Sequence, residues 1–140
     1  MKLVDYKQGR AIRIVFMDCG QDKYDVEPFL ANLEVSRPND YNQLIALLDR
    51  ATEYGIIPNA QKTKRLHGDH AKHLWEFCAK GGARIFWFLD EQNKTIVVCT
   101  HGFLARNQHD HKNDIRKAQE RKQLYYEYRR QQQLSGKRTG

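Results

Sequence analysis

The sequence predicts an α+β domain with an N-terminal strand, a helical hairpin, a three-stranded antiparallel meander and a C-terminal helix. Three observations carry that prediction. Two stretches with apolar residues at helical spacing stand between an early β-branched run and three short apolar runs, so helices and strands are segregated rather than alternating. The chain has 140 residues, enough for one core and not for two. Its 40% hydrophobic and 29% charged content is that of a globular chain rather than a disordered one.

The elements follow in order. "AIRIVFM" (Ala11–Met17) is short, β-branched and bounded by Arg10 and Asp18, as a strand should be. Asp25 is placed to cap a helix whose first turn holds Glu27 and Pro28, both favoured there. Phe29, Leu30 and Leu33 repeat at helical spacing, and the helix should stop before "SRPND". Asp40 is placed to cap a second helix with Tyr41, Leu44, Ile45 and Leu48 on one face, ended by Gly55 and Pro58. A basic connector, "QKTKRLHGDH", follows. "LWEFCA" (Leu74–Ala79), the turn Gly81-Gly82, "ARIFWFL" (Ala83–Leu89) and "TIVVCTHGF" (Thr95–Phe103) make the meander. From His111 the chain reads as a helix with Ile115, Ala118, Lys122 and Tyr126 down one side, and "LSGKRTG" should fray. Residues 1–128 are thus expected as a single domain and 129–140 as a basic, flexible tail.

Composition removes several function classes. No apolar run approaches the roughly 20 residues that span a bilayer, so no membrane partner is expected. Arg10 and Arg13 interrupt the apolar stretch near the N-terminus, unlike a signal peptide. Cys19, Cys78 and Cys99 are odd in number and show no C-x-x-C spacing, which suits reduced thiols in a cytoplasm. Net charge is +7, and it is lopsided. Residues 1–60 hold seven Lys/Arg against nine Asp/Glu, whereas residues 61–140 hold seventeen against eight. A basic half on an otherwise neutral domain is the footprint of a polyanion binder.

Taken in order, the helical hairpin, "KRLHG", "LWEF", "GGARIFWFL", "TIVVCTHGF" and the terminal "IRKAQER" resemble the HigB-like, phage-derived branch of the RelE/ParE toxin superfamily, over about residues 11–125. The resemblance implies a RelE-like fold and the toxin of a type II toxin–antitoxin pair. Such toxins bind in the ribosomal A site and cleave messenger RNA, with no metal or other cofactor. Their partner is a small cognate antitoxin, often a helix-turn-helix protein. The ParE branch keeps the fold without the nuclease site and inhibits gyrase. Two alternatives therefore stay open: a non-catalytic ParE-like inhibitor of a protein target, and a basic RNA-binding protein without catalysis.

Cleaving RNA without metal requires activating a ribose 2′-hydroxyl, stabilising charge on the phosphorane and protonating the leaving 5′-oxygen. Histidine suits the proton transfers and guanidinium suits the phosphate. Arg84 lies at the family's strand arginine, which implies that it faces the concave surface; the alternatives are a solvated strand charge or a structural ion pair, for which Glu76 is the candidate partner. Arg106 keeps one cation where relatives have paired lysines, its neighbour being Ala105, and Cys78 stands where relatives usually carry arginine. Cys78 reads as a small buried hydrophobe rather than a nucleophile. His109 and His111 flank Asp110 before the last helix, where one would serve as acid or base and Asp110 would orient it or cap the helix. Lys62, Lys64 and Arg65 are expected to track the RNA backbone, joined by Lys112 and Arg116 at the start of the last helix. Glu76 reads as the partner of a nearby cation, and His101 as a satisfied sheet histidine. His67, His70 and His73 lack zinc-site spacing, so no metal is expected.

Overall fold

A computed structural model describes residues 1–20, 22–105 and 111–139. The element order is β1 (Lys2–Gln8), β2 (Arg13–Asp18), α1 (Val26–Ser36), α2 (Pro38–Tyr54), β3 (Thr63–Arg65), β4 (Trp75–Cys78), β5 (Ala83–Leu89), β6 (Ile96–Leu104) and α3 (Lys112–Thr139). A short 3₁₀ turn, Asp69–Ala71, precedes β4. The six strands form one mixed sheet in the order β1-β2-β6-β5-β4-β3, antiparallel throughout except for the β2–β6 pair. The class is α+β, as the segregated pattern predicts.

Helices cover both faces, which is why "IFWF" and "IVVC" run continuously apolar instead of alternating. One face packs Ile14, Phe16, Phe77, Ile85, Trp87, Val97 and Cys99 against Phe29, Leu30 and Leu33 of α1 and Leu44 and Leu48 of α2. The other packs Val15, Met17, Phe86, Phe88, Val98 and Phe103 against Ala118 and Tyr125 of α3.

Four expectations are corrected. The N-terminal strand is two: β1 adds to the edge of β2 through the turn Gly9–Ile12, and β2 runs to Asp18. The basic connector is not wholly a connector, because Thr63–Arg65 pairs with β4 and extends the meander by an edge strand. Both are largely polar and little buried, since an edge strand gains from charge that discourages further pairing.

Neither aspartate is a side-chain cap. Arg37 is the sole residue between α1 and α2, and Pro38 opens α2 with its fixed φ, which places Asp40 inside the first turn. The Asp40 carboxylate is buried and accepts the N–H groups of Gly81 and Ala83, at 3.0 and 3.1 Å, so it ties α2 to the β4–β5 turn. A Cβ on Gly81 would collide with that carboxylate. Asp25 precedes α1 but accepts the Cys19 N–H and pairs with Arg121. Finally, the seam of α3 is centred on Ala118, Arg121 and Tyr125, with Ile115 and Tyr126 of the expected line packed at its margin. Arg121 can be buried because Asp25, Asp22 and the Thr100 carbonyl take its guanidinium, at 2.6, 2.5 and 2.9 Å. The helix continues past Gln133 to Thr139. Arg129 lies 3.7 Å from the buried carboxylate of Asp90, so the basic segment is joined to the domain at its first residue.

Candidate functional site

Strand alternation sorts the candidate residues. On β5, Ala83, Ile85 and Trp87 face α1 and α2, so Arg84, Phe86 and Phe88 face α3. Antiparallel register carries that face across the sheet. Lys64, Glu76, Phe86 and His101 lie in one row, and Cys78, Arg84 and Phe103 in the next. His111, immediately before α3, sets its ring against Phe86 and Phe103, with centroids 6.4 and 5.5 Å away. Arg84 is the cross-strand neighbour of Phe103 and lies two residues before Phe86 on the same face. Arg84 and His111 are therefore gathered about the same two aromatic rings.

Each polar group has a definite environment. Arg84 is half-buried; its Nη1 donates to the Ala79 carbonyl at 2.9 Å, and its Nε is buried without a partner among the described residues. Glu76 is 5% exposed. Its Oε1 accepts the Cys78 thiol at 3.0 Å and lies 3.6 Å from Lys64 Nζ, while Oε2 is buried without a partner among the described residues. The cation at Glu76 is thus Lys64, and the ion pair with Arg84 is not formed. Burial, and then the bond to Glu76, push the Cys78 thiol up to about 12, so it carries almost no thiolate near neutrality.

His101 is fully buried, with Nδ1 3.1 Å from Thr100 Oγ1 and Nε2 3.1 Å from Asp114 Oδ1. Burial holds its pKa below the ordinary histidine value, against the opposing pull of Asp114. It is a satisfied sheet histidine.

The pleat divides the other cations. Lys64 shares the face of Arg84, but Arg65 is exposed and, by alternation, on the side of Thr63. Lys62 lines shallow hollows beside α2 with Arg50. Lys62, Lys64 and Arg65 therefore do not form one track, because a strand stands where a loop was expected. Lys112 and Arg116 are exposed on the first turns of α3 and border a hollow of about 490 Å³ with His70, Ile115 and Gln119. Gln119 Nε2 donates to the His70 carbonyl at 3.1 Å, which docks the 3₁₀ turn on α3. Arg106, His109 and Asp110 lie outside the described residues. Among the described residues, no group of three or more His, Cys, Asp or Glu side chains is arranged to hold a metal ion, and no helix is long and apolar enough to cross a membrane.

Sequence reasoning missed Asp114 and Arg121, which orient His101 and lock α3 to the sheet. Their signal was present: Asp114, Ala118, Arg121 and Tyr125 recur at helical spacing, but two polar members hid the seam.

A sheet face holding two cations, an imidazole and a partly unsatisfied carboxylate can bind phosphate and move protons. One comparison decides the family. The model for "Phage derived protein Gp49-like (DUF891)" matches residues 31–123. The chain belongs to that family. Gp49-like proteins are phage-derived and toxin-like. No curated protein matches the chain. In this Gp49-like chain the matched span includes Lys64, Glu76, Arg84 and His111, and leaves out β1, β2 and the distal part of α3.

Proposed function

We propose that this Gp49-like chain is the toxin of a type II toxin–antitoxin pair, a ribosome-dependent endoribonuclease that cleaves messenger RNA by acid–base chemistry without a metal. The observation that carries the reading is the convergence of Arg84 and His111 about Phe86 and Phe103, with Lys64 on the same face. In this reaction the 2′-oxygen bonds to phosphorus and the bond from phosphorus to the 5′-oxygen breaks. The proton lost by the 2′-hydroxyl is balanced by one given to the leaving 5′-oxygen. Arg84 stabilises the charge on the phosphorane, and its bond to the Ala79 carbonyl fixes the guanidinium before substrate arrives. His111, together with His109 and Arg106, handles the protons and the second phosphate contact. Lys112 and Arg116 extend the phosphate track along α3. Arg129 is taken by Asp90, so Arg130 and the lysine and arginine beyond it are the part of the C-terminal segment that adds ribosome affinity.

The partners that follow are a cognate antitoxin, in the helix-turn-helix class, together with the ribosome and its message in the cytoplasm. A second reading, a non-catalytic inhibitor of a protein target in the manner of ParE, is favoured by one observation. Cys78, a neutral buried thiol, is the cross-strand neighbour of Arg84 and supplies no charge there. Induced expression with 5′-end mapping of cellular transcripts separates the two. The nuclease gives growth arrest and new ends confined to translated messages. Arrest with intact transcripts would establish the inhibitor.

A further inference from the structure

The parallel β2–β6 pairing ends at Phe16 and Cys99, whereas β6 continues to Leu104. The segment between β2 and α1 closes the edge left open: the Gly102 N–H donates to the Tyr24 carbonyl at 2.8 Å. β6 has glycine there because the Phe29 ring occupies the place of a Cβ. Tyr24 is thereby held at the lip of an open groove of about 880 Å³ whose apolar lining includes Phe29, Leu33, Phe103 and Leu104. Tyr24 is 37% exposed, a large aromatic left in solvent. Two ammonium groups attend its ring: Lys117 Nζ is 4.3 Å and Lys23 Nζ 5.1 Å from the centroid. Asp22 steadies Lys117 at 3.6 Å. Across β6 from Tyr24, Phe103 pairs with Arg84. Two strand spacings, roughly 10 Å, therefore separate the backbone of Arg84 from that of Tyr24.

An exposed aromatic ring with cations at its rim is the chemistry that holds single-stranded nucleic acid, the ring stacking a base and the cations meeting phosphates. We propose that this groove takes a nucleotide of single-stranded RNA next to the phosphate at Arg84. Its base stacks on Tyr24, and Lys23 and Lys117 move from the ring to its phosphates. The proposal rests on the nuclease reading for the position of that phosphate. Lys23 and Tyr24 precede the span matched by the family model, and Phe103 and Lys117 lie within it. A polyanion is favoured over a peptide because both rim cations already stand at the ring and the chain carries a net charge of +7.

The test is fluorescence anisotropy with a labelled oligouridylate and the full chain, which reads binding whether or not the chain cleaves. Tyr24→Leu should weaken binding roughly five- to hundredfold, the loss of one stacked base, and Tyr24→Phe should bind like the parent. Lys23→Gln, a change at an exposed side chain, should lower the slope of log affinity against log salt by about 0.7. A 4-thiouridine probe should crosslink to the peptide that contains Tyr24. Parental affinity in Tyr24→Leu with an unchanged slope in Lys23→Gln overturns the proposal, as does a parent that binds no RNA. Unchanged RNA affinity with loss of antitoxin capture would assign the groove to a protein instead. If Tyr24→Leu weakens binding while the parent cleaves nothing on ribosomes, the platform stands and the nuclease fails. If the parent cleaves and Tyr24→Leu binds and cleaves as well as it does, the nuclease stands and the platform fails.

Discussion

Protonating His101 means placing a cation where both ring nitrogens already have partners and no solvent reaches. Burial lowers its pKa, with Arg121 and Lys117 adding to the effect and Asp114 opposing it. A histidine whose folded pKa is depressed adds stability that is present above its unfolded pKa, near 6.5, and is lost as pH falls through the folded value. Melting temperatures measured downward from about pH 7.5 should therefore fall in the parent and fall less in His101→Gln, whatever the offset between the two. His73 also has a lowered pKa, but it is present in both proteins and cancels. Parallel pH profiles would show that His101 does not couple folding to protons. Cys78 was legible at this scale as an inert buried residue. Glu76, two residues earlier on the same face of β4, accepts the Cys78 thiol, a bond set by side-chain rotamers that spacing alone does not display.

The elements hold together through a few buried charges that link distant segments. Arg121 joins α3 to the stretch before α1, and Asp40 joins α2 to the β4–β5 turn. Removing one partner of such a pair leaves the other desolvated and alone. Arg121→Met should cost about 3–5 kcal/mol of stability. In urea melts, the double variant Asp25→Asn with Arg121→Met should be more stable than the two single losses summed. Additive losses would mean that the pair contributes only as separate contacts. The same charges explain which elements could be read in advance. The meander, both hairpin helices and α3 follow from apolar runs and spacing that a sequence displays directly. Asp25 and Asp40 looked like caps because a cap is the local use of an aspartate, and their actual partners lie far along the chain. β1 and β3 bury too little to leave a pattern, and both exist because a neighbouring strand offers them its edge.

At the scale of the whole molecule, the layers give the charge asymmetry a direction. The first sixty residues, with their slight acidic excess, build β1, β2, α1 and α2, while the basic remainder builds β3 to β6 and α3. Helices α1 and α2 occupy one face of the sheet, and the face under α3 carries Lys64, Arg84 and His111. That arrangement gives the proposed polyanion contact a face of the sheet on which to lie. The composition suggested the partner class proposed above; the grouping of Arg84 with His111, and the exclusion of Lys62 and Arg65 from it, required the register. The measurement that bears most directly on the proposed nuclease is single-turnover cleavage on programmed ribosomes by Arg84→Ala and Arg84→Lys, each paired with a thermal melt. Loss of one fixed donor to the transition state should slow cleavage about 10²–10³-fold in the alanine variant with its fold intact. Lysine should restore part of the rate, because an ammonium keeps the charge without the planar fork. A stable Arg84→Ala that cleaves as fast as the parent would contradict the nuclease site proposed on this face.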